Sequence, residues 1–166
     1  MTSFKFSHFQ LNYLFIFLLL TLGLAGCEEK PKVVESSFIK ITAYNHTEDY
    51  IHQYYVDQGG GANVSAYGGG GKFTCCIGVP GEWQPGMMAT VRWTTSASRK
   101  SKKPYTGETW HEEQVTIEPY GKEATTLGVH FLPLGKVRLI ISRMAAGHPD
   151  YPGPAYPVAP ADWPAD

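Results

Sequence analysis

Short stretches in which apolar and polar residues alternate recur between residues 38 and 143, and Gly, Pro and Asn separate them. Such alternation places successive side chains on opposite faces of a β-strand, and no long stretch has the apolar spacing of an amphipathic helix. We therefore predict a mainly β fold, a small antiparallel β-sandwich or barrel of about seven to eight short strands. The predicted strands are Phe38–Tyr44, Ile51–Val56, Asn63–Tyr67, Lys72–Ile77, Met88–Thr95, Trp110–Ile117, Leu127–Leu132 and Lys136–Arg143.

The strongest local signal is a hairpin at the end of this series. Pro133 and Gly135 are typical turn residues, and they separate the last two predicted strands. In the final strand every second residue is a branched apolar side chain, and we predict that this face enters the core. The residues of this face are Val137, Leu139 and Ile141.

The N-terminus has the pattern of an export signal. Lys5 precedes an apolar run that ends in L-A-G-C at residues 24–27, and Glu28 follows. The run is too short for a membrane-spanning helix, and its small-residue end is typical of a cleaved signal. The four residues resemble the bacterial lipobox. This implies a lipoprotein signal peptide at residues 1–26 and fatty acylation of Cys27. The alternative is an ordinary secretory signal with a chance cysteine.

The resemblance to bacterial lipoproteins also bears on location. In such proteins an Asp directly after the acylated Cys favours the inner membrane, and here Glu28 stands in that place. We therefore expect a lipid-anchored protein of the cell envelope, at the outer membrane and facing the periplasm. Two acyl chains or more are enough for stable anchoring.

The rest of the chain divides into three parts. Residues 27–36 are charged and contain Pro31, which predicts a tether to a β-rich domain at residues 37–146. Residues 147–166 contain six of the twelve prolines and no predicted strand, which indicates an extended tail. The tail is either a loose terminus or a segment wrapped over the domain, because Tyr151, Tyr156 and Trp163 are costly to leave in water.

Charge and glycine content argue against two classes of ligand. Removing residues 1–26 takes away one of the 14 basic residues and none of the 15 acidic ones, so nucleic acid is not an expected partner. The run Gly68–Gly71 before Lys72 lacks the first glycine of a P-loop, because Ala66 stands there, and Phe73 replaces its Ser or Thr. We expect no nucleotide and interpret the run as a loop that needs positive φ.

Cys75 and Cys76 are adjacent, and they remain when Cys27 carries lipid. They form either a vicinal disulfide or two separate thiols, at least one of them buried in the sheet. Separate thiols are favoured, because neighbouring Cα atoms lie about 3.8 Å apart, below the usual disulfide range. A metal site is not expected, because no second Cys/His cluster occurs at ligand spacing.

No motif indicates an enzyme. The five histidines that follow the predicted signal peptide are scattered and include no H-E-x-x-H, and the chain has no G-x-S-x-G. We interpret each histidine as a surface or hydrogen-bonded structural residue and predict a non-enzymatic protein without a cofactor. These histidines are His46, His52, His111, His130 and His148.

A compact basic run, Arg99–Lys103, lies between two predicted strands. We interpret it as a solvated hairpin tip. The alternative is contact with anionic lipid headgroups or with an acidic surface of a partner.

Several short motifs occur in a fixed order between Ala43 and Pro152. They are G-G-G-G-K-F-T-C-C at Gly68–Cys76, Pro80, Trp83, P-G at Pro85–Gly86, V-R-W at Val91–Trp93, V-H-F-L-P at Val129–Pro133 and G-H-P-D-Y-P at Gly147–Pro152. This ordered set resembles a family of small proteobacterial lipoproteins labelled domain of unknown function 3304. The chain departs from the family pattern at Glu82, where a basic residue is expected, so the specificity for a partner is expected to differ if this loop contacts it.

The family resemblance implies a function. Members are often associated with type VI secretion clusters beside phospholipase effectors, where they look like immunity proteins. This implies an anchored protein that binds and neutralises a periplasm-acting phospholipase toxin. Aromatic residues at loop tips are common interface anchors, although each of them is equally compatible with a place in the core. The expected contact residues are Gly59–Gly61, Tyr67, Lys72, Trp83, Trp110, His148, Asp150 and Tyr151.

Two other functions stay open at this point. The first is a structural or assembly lipoprotein of the envelope that has no toxin partner. The second is a redox or metal-handling protein that uses Cys75 and Cys76.

Overall fold

The part of the chain that the structure describes forms nine strands and one short 3₁₀ turn. The structure, a computed structural model, describes residues 35–164. The lipidation prediction at Cys27 and the signal-peptide prediction lie outside the described residues. The elements are β1 (Ser36–Asn45), β2 (Asp49–Val56), β3 (Gly59–Gly61), β4 (Gly68–Gly69), β5 (Thr74–Pro80), β6 (Met88–Ala97), β7 (Thr109–Thr116), β8 (Thr126–Phe131), the 3₁₀ turn Pro133–Gly135 and β9 (Val137–Ser142).

The strands form two sheets. The first has the order β4-β1-β8-β9, with β5 also paired to β1, and the second has the order β3-β2-β6-β7. The predicted mainly β, sandwich-like fold is confirmed, and the strands do not close into a barrel. One feature differs from the prediction: β1 and β8 run parallel, so the first sheet is mixed and not antiparallel throughout.

The core lies between the two sheets. Its first wall includes the predicted face of β9, since Val137, Leu139 and Ile141 are all buried, and the β8–β9 hairpin is confirmed. Across the interior, Phe131 of β8 contacts the ring of Tyr54 at 5.6 Å and the indole of Trp93 at 5.5 Å. Tight packing of this kind is what makes such residues sensitive to substitution.

Two glycine segments pair as strands that the sequence did not predict. β3 pairs with β2, and β4 pairs with Tyr44 and Asn45 of β1. Glycine gives no alternating pattern, so these strands carry no signal in the sequence. The predicted strand Asn63–Tyr67 is wrong, because only Val64 makes a bridge there, opposite Ile51.

The C-terminal tail packs over the outer face of the first sheet, so the interpretation as a loose terminus is wrong for its described part. Tyr151 lies against His130 of β8, and an added Cβ at Gly153 would lie 2.8 Å from Ile140 of β9. Tyr156 meets the ring of Tyr44 edge-on at 6.1 Å. Burial of aromatic surface stabilises this cover, which explains why most of β8 and β9 is buried on both faces.

Candidate binding groove

A cleft of about 1170 Å³ opens beside the outer face of the second sheet. One side is the loop from β6 to β7, and another is the end of the tail. We call this cleft the basic groove, because its described lining includes Arg99, Lys100 and Lys103 and no Asp or Glu. The aromatic and basic residues that line it are Tyr50, His52, Tyr67, Arg99, Lys100, Lys103, Tyr105 and Trp163.

The run Arg99–Lys103 lies in the loop between β6 and β7, which we call the basic loop. Serine hydroxyl groups hold this loop in place. The backbone N–H of Lys100 donates to Ser98 Oγ at 3.2 Å, and the backbone N–H of Lys103 donates to Ser101 Oγ at 3.1 Å. Ser101 Oγ in turn donates to Glu48 Oε2 at 3.0 Å, at the turn between β1 and β2. Such local bonds are typical of Ser in turns, and they give this loop a defined shape.

An ion-pair cluster fixes the base of the loop. Lys103 Nζ lies 3.0 Å from Glu48 Oε1 and 3.0 Å from Asp49 Oδ1. The hydrogen bond with Lys103 lowers the pKa of Glu48, and the hydrogen bond with Glu48 raises the pKa of Lys103. These groups are partly exposed, so solvent screening keeps the energy of the pairs small. Lys103 is thus paired with carboxylates of the protein itself, which leaves less of its charge for a ligand.

Arg99 is the cation that the groove offers to a ligand. Its side chain is exposed, and it makes no ion pair with another residue of the range 35–164. A guanidinium group binds carboxylate or phosphate through two parallel hydrogen bonds. The basic run is a loop between two antiparallel strands, as the sequence predicted, and part of it faces the groove.

Two aromatic rings form the opposite wall. Tyr67 and Trp163 meet edge to face, with ring centroids 5.0 Å apart. Tyr67 has a positive φ of 48°, and its backbone N–H donates to Thr47 O at 3.1 Å. Desolvation raises the pKa of the Tyr67 hydroxyl. Trp163 was not among the predicted contact residues, because a proline-rich tail gives no sign of where its aromatic side chains pack.

His52 lines the groove at the sheet. Its Nε2 lies 2.8 Å from Ser96 Oγ, and its Nδ1 lies 3.4 Å from Glu108 Oε1. The ring of Tyr50 meets it edge-on at 4.8 Å. The imidazole is therefore oriented by polar partners on both of its nitrogens. The sequence offered no signal for this cluster, because its members come from two strands and a loop.

Of the predicted contact residues, the structure places only Tyr67 in the groove. Trp83 packs against the core, and its indole N–H donates to Ile117 O at 2.8 Å. Trp110 is exposed on the outer face of the second sheet, where it stacks on Tyr55 and lies under Arg92. The structure thus gives Trp83 a packing role and separates Trp110 from the groove lining.

The remaining predicted contact residues lie elsewhere. Lys72 is exposed and donates through Nζ to Asn63 Oδ1. His148 and Asp150 are exposed in the tail, where the Asp150 N–H donates to His148 Nδ1 at 3.1 Å. Gly59–Gly61 forms β3 at an edge of the second sheet and is not an open loop. The predicted residues therefore do not form one surface.

A chain of hydrogen bonds centred on the buried His130 lies under the tail. His130 Nδ1 lies 2.9 Å from His46 Nε2, and His130 Nε2 lies 2.6 Å from the Tyr151 hydroxyl. Tyr44 stacks on the His130 ring at 4.7 Å. Desolvation, with smaller contributions from His46 and Arg138, lowers the pKa of His130 to about 3. The buried ring is therefore neutral at pH 7, with both nitrogens hydrogen-bonded.

Cys75 and Cys76 are joined by a disulfide in the structure. Neither residue is buried, so the expectation of a buried thiol is wrong. Adjacent residues in a strand face opposite ways, but here the chain is irregular, with a register shift between β1 and β5. The redox function stays a prediction, which thiol titration with and without reductant tests.

Residues 35–164 contain no group of three or more His, Cys, Asp or Glu placed to hold a metal ion. None of the helical segments in this range is long and apolar enough to cross a membrane.

The chain matches a known protein family. The sequence model of a family described as "Protein of unknown function (DUF3304)" matches residues 44–139, which is more than half of the chain. No curated protein and no solved structure matches the chain. The matched range runs from the end of β1 to β9 and includes the basic loop.

Proposed function

We propose that this chain, which belongs to the DUF3304 family, is an envelope lipoprotein anchored through Cys27 that binds and neutralises a periplasm-acting phospholipase effector of a type VI secretion system. The observation that supports the proposal is the basic groove, which combines Arg99 with the rings of Tyr67 and Trp163. Arg, Tyr and Trp are the residue types that dominate binding energy at protein interfaces. An acidic segment of the effector is the expected occupant.

Neutralisation requires binding and no chemistry by this chain. A partner seated in the groove covers the mouth of the effector's active site or holds its lid closed. The lipid anchor keeps the inhibitor at the surface that the phospholipase attacks, which raises its effective concentration there. A rigid β-sandwich suits this role, because a preformed surface loses little conformational entropy on binding.

Two residues of the groove and a neighbouring carboxylate have the order of a hydrolase triad: Ser96, His52 and Glu108. Ser96, however, lies within β6 and is only 8% exposed. Its neighbours Thr95 and Ala97 are paired with β2. The backbone N–H groups there are used in the sheet and do not form an oxyanion hole. We therefore assign His52 a structural role. Labelling of Ser96 by a fluorophosphonate probe would contradict the non-enzymatic proposal.

The proposal is tested by expressing the phospholipase effector in the periplasm with and without this chain. We expect lysis without the chain and survival with it. An effector variant without its catalytic nucleophile controls for toxicity of expression alone. Unchanged lysis, together with no binding between the purified proteins, would exclude the toxin-neutralising function. The alternative, a structural lipoprotein of the envelope, would then be favoured.

Single substitutions in the groove give a sharper test. Arg99→Ala and Trp163→Ala are each expected to weaken effector binding about tenfold, because each removes an anchor-type side chain. Lys102→Ala is the matched control, since Lys102 belongs to the same basic run but does not line the groove. We expect it to change the Kd less than about twofold. Titration calorimetry measures all three, and equal losses from Arg99→Ala and Lys102→Ala would contradict this placement of the interface.

A further inference from the structure

The tail covers only part of the outer face of the first sheet. Tyr44 and His130 lie under it, whereas the N-terminal half of β1 stays open. In that half Phe38 is 79% exposed, and Phe73, the residue before β5, is 57% exposed. Two phenylalanine rings left in water on a well-packed domain indicate a surface with a further partner.

These rings and a lysine form one patch. Phe38 and Lys40 lie on the same face of β1, because Ile39 between them points into the core. The Phe38 ring passes over Gly78 of β5, where an added Cβ would lie 3.6 Å from the ring. Lys40 Nζ lies 5.8 Å from the centroid of the Phe73 ring. A cation thus lies over one exposed aromatic ring and shares a strand face with the other.

The place of this patch along the chain indicates its partner. Phe38 follows Cys27 by eleven residues, a segment that reaches about 40 Å at most when fully extended. With the lipid anchor of the proposed function, on which this step rests, the patch is kept within that distance of the bilayer. We propose that Phe38, Lys40 and Phe73 form a membrane-contacting patch that lays the anchored domain against anionic phospholipid.

The chemistry of the patch suits a bilayer surface. Aromatic rings enter the boundary between headgroups and acyl chains, and a lysine keeps its ammonium group among the phosphates. Juxtamembrane lysines are further attracted by anionic lipids.

Contact through this patch also orients the domain. The patch occupies the start of β1, and the ion-pair cluster at Glu48 and Asp49 that fixes the basic loop follows the end of β1. From Phe38 to Asn45 the strand rises about 23 Å. A domain resting on its patch therefore turns the groove away from the bilayer, toward an incoming effector.

The test uses the mature chain with Cys27→Ser, so that no lipid anchor contributes. Binding to vesicles of phosphatidylethanolamine and phosphatidylglycerol is measured by co-sedimentation. We expect the parent to bind, and the double variant Phe38→Ser/Phe73→Ser to lose at least about tenfold in partition coefficient. Lys40→Glu is expected to weaken binding to these vesicles while leaving binding to phosphatidylcholine vesicles nearly unchanged.

Leu134→Ser is the matched control. Leu134 is 93% exposed, and its turn follows β8 at the end of the sheet away from Phe38. We expect it to leave vesicle binding unchanged. Equal losses from the control and the double variant, or no loss from the double variant, would overturn the proposal. No effector enters this assay, so its result is separate from that of the lysis test.

Discussion

Gly69→Ala is expected to lower the free energy of unfolding by roughly 3–5 kcal/mol, enough to unfold a marginal domain. Gly69 pairs with Tyr44 and has a φ of 138°. An added Cβ would overlap the carbonyl oxygen of Ala43 and lie 2.7 Å from Tyr44 Cα. Both contacts are with the backbone of β1, which pairs with β8 on its other side and so cannot move away.

The control lies two residues further along the same glycine run. An added Cβ at Gly71 meets no atom within 4 Å, and its φ lies outside the positive range. Gly71→Ala is therefore expected to change stability by less than about 0.5 kcal/mol. Urea unfolding followed by tryptophan fluorescence compares the two variants. If Gly69→Ala were as stable as Gly71→Ala, β4 would not be packed on β1 as described.

Acid is expected to destabilise the fold well above the pH at which its carboxylates protonate. Burial lowers the pKa of His130 to about 3, whereas in the unfolded chain the value is the ordinary one of about 6.5. Between these values the unfolded state binds a proton that the folded state does not. The free energy of unfolding is therefore highest above about pH 6.5, and it falls as the pH is lowered toward 3. His46 acts in the same direction, because burial lowers its pKa as well.

The size of the effect follows from the number of protons. One histidine contributes a slope of about 1.4 kcal/mol per pH unit, which amounts to roughly 4–5 kcal/mol over the whole interval. Between pH 6.5 and 5 the contribution of carboxylates is small, since the lowered pKa of Glu48 lies below that window. Unfolding free energies measured in this window are thus expected to report mainly on the buried histidines.

His130→Gln is expected to remove most of this slope while lowering stability at neutral pH through lost packing and hydrogen bonds. His148→Gln, which removes an exposed histidine of the tail, should keep the slope. Urea denaturation at several pH values measures both variants and the parent. A parent whose stability does not change between pH 6.5 and 5 would contradict the burial of a neutral His130.

Much of the candidate site was present in the sequence only as separate pieces. The basic run and Tyr67 were both recognised, but nothing in the sequence indicated that they face each other across a groove. Trp163 completes the wall because the tail crosses the first sheet and returns toward Tyr67. Contacts of this kind join residues about a hundred positions apart, and local pattern carries no information about them.

The errors in the predicted strands have physical causes. The stretch Asn63–Tyr67 has apolar residues in alternation, yet only Val64 makes a bridge, opposite Ile51, and the positive φ of Tyr67 ends the extended backbone there. Gly61 of β3 lies so close to Tyr54, and Gly69 of β4 so close to β1, that a side chain would not fit. These positions require glycine, and the alternation of apolar and polar residues does not reveal such a requirement.

The sequence by itself determined the β class, most strand positions and the β8–β9 hairpin, because alternation and turn residues act over a few neighbouring positions. The tertiary structure alone decided the parallel pairing of β1 with β8, the cover of the tail over His130, and the assembly of the basic groove. These features depend on which distant surfaces meet when apolar area is buried. That choice is made by the packing of the whole domain and not by any local segment.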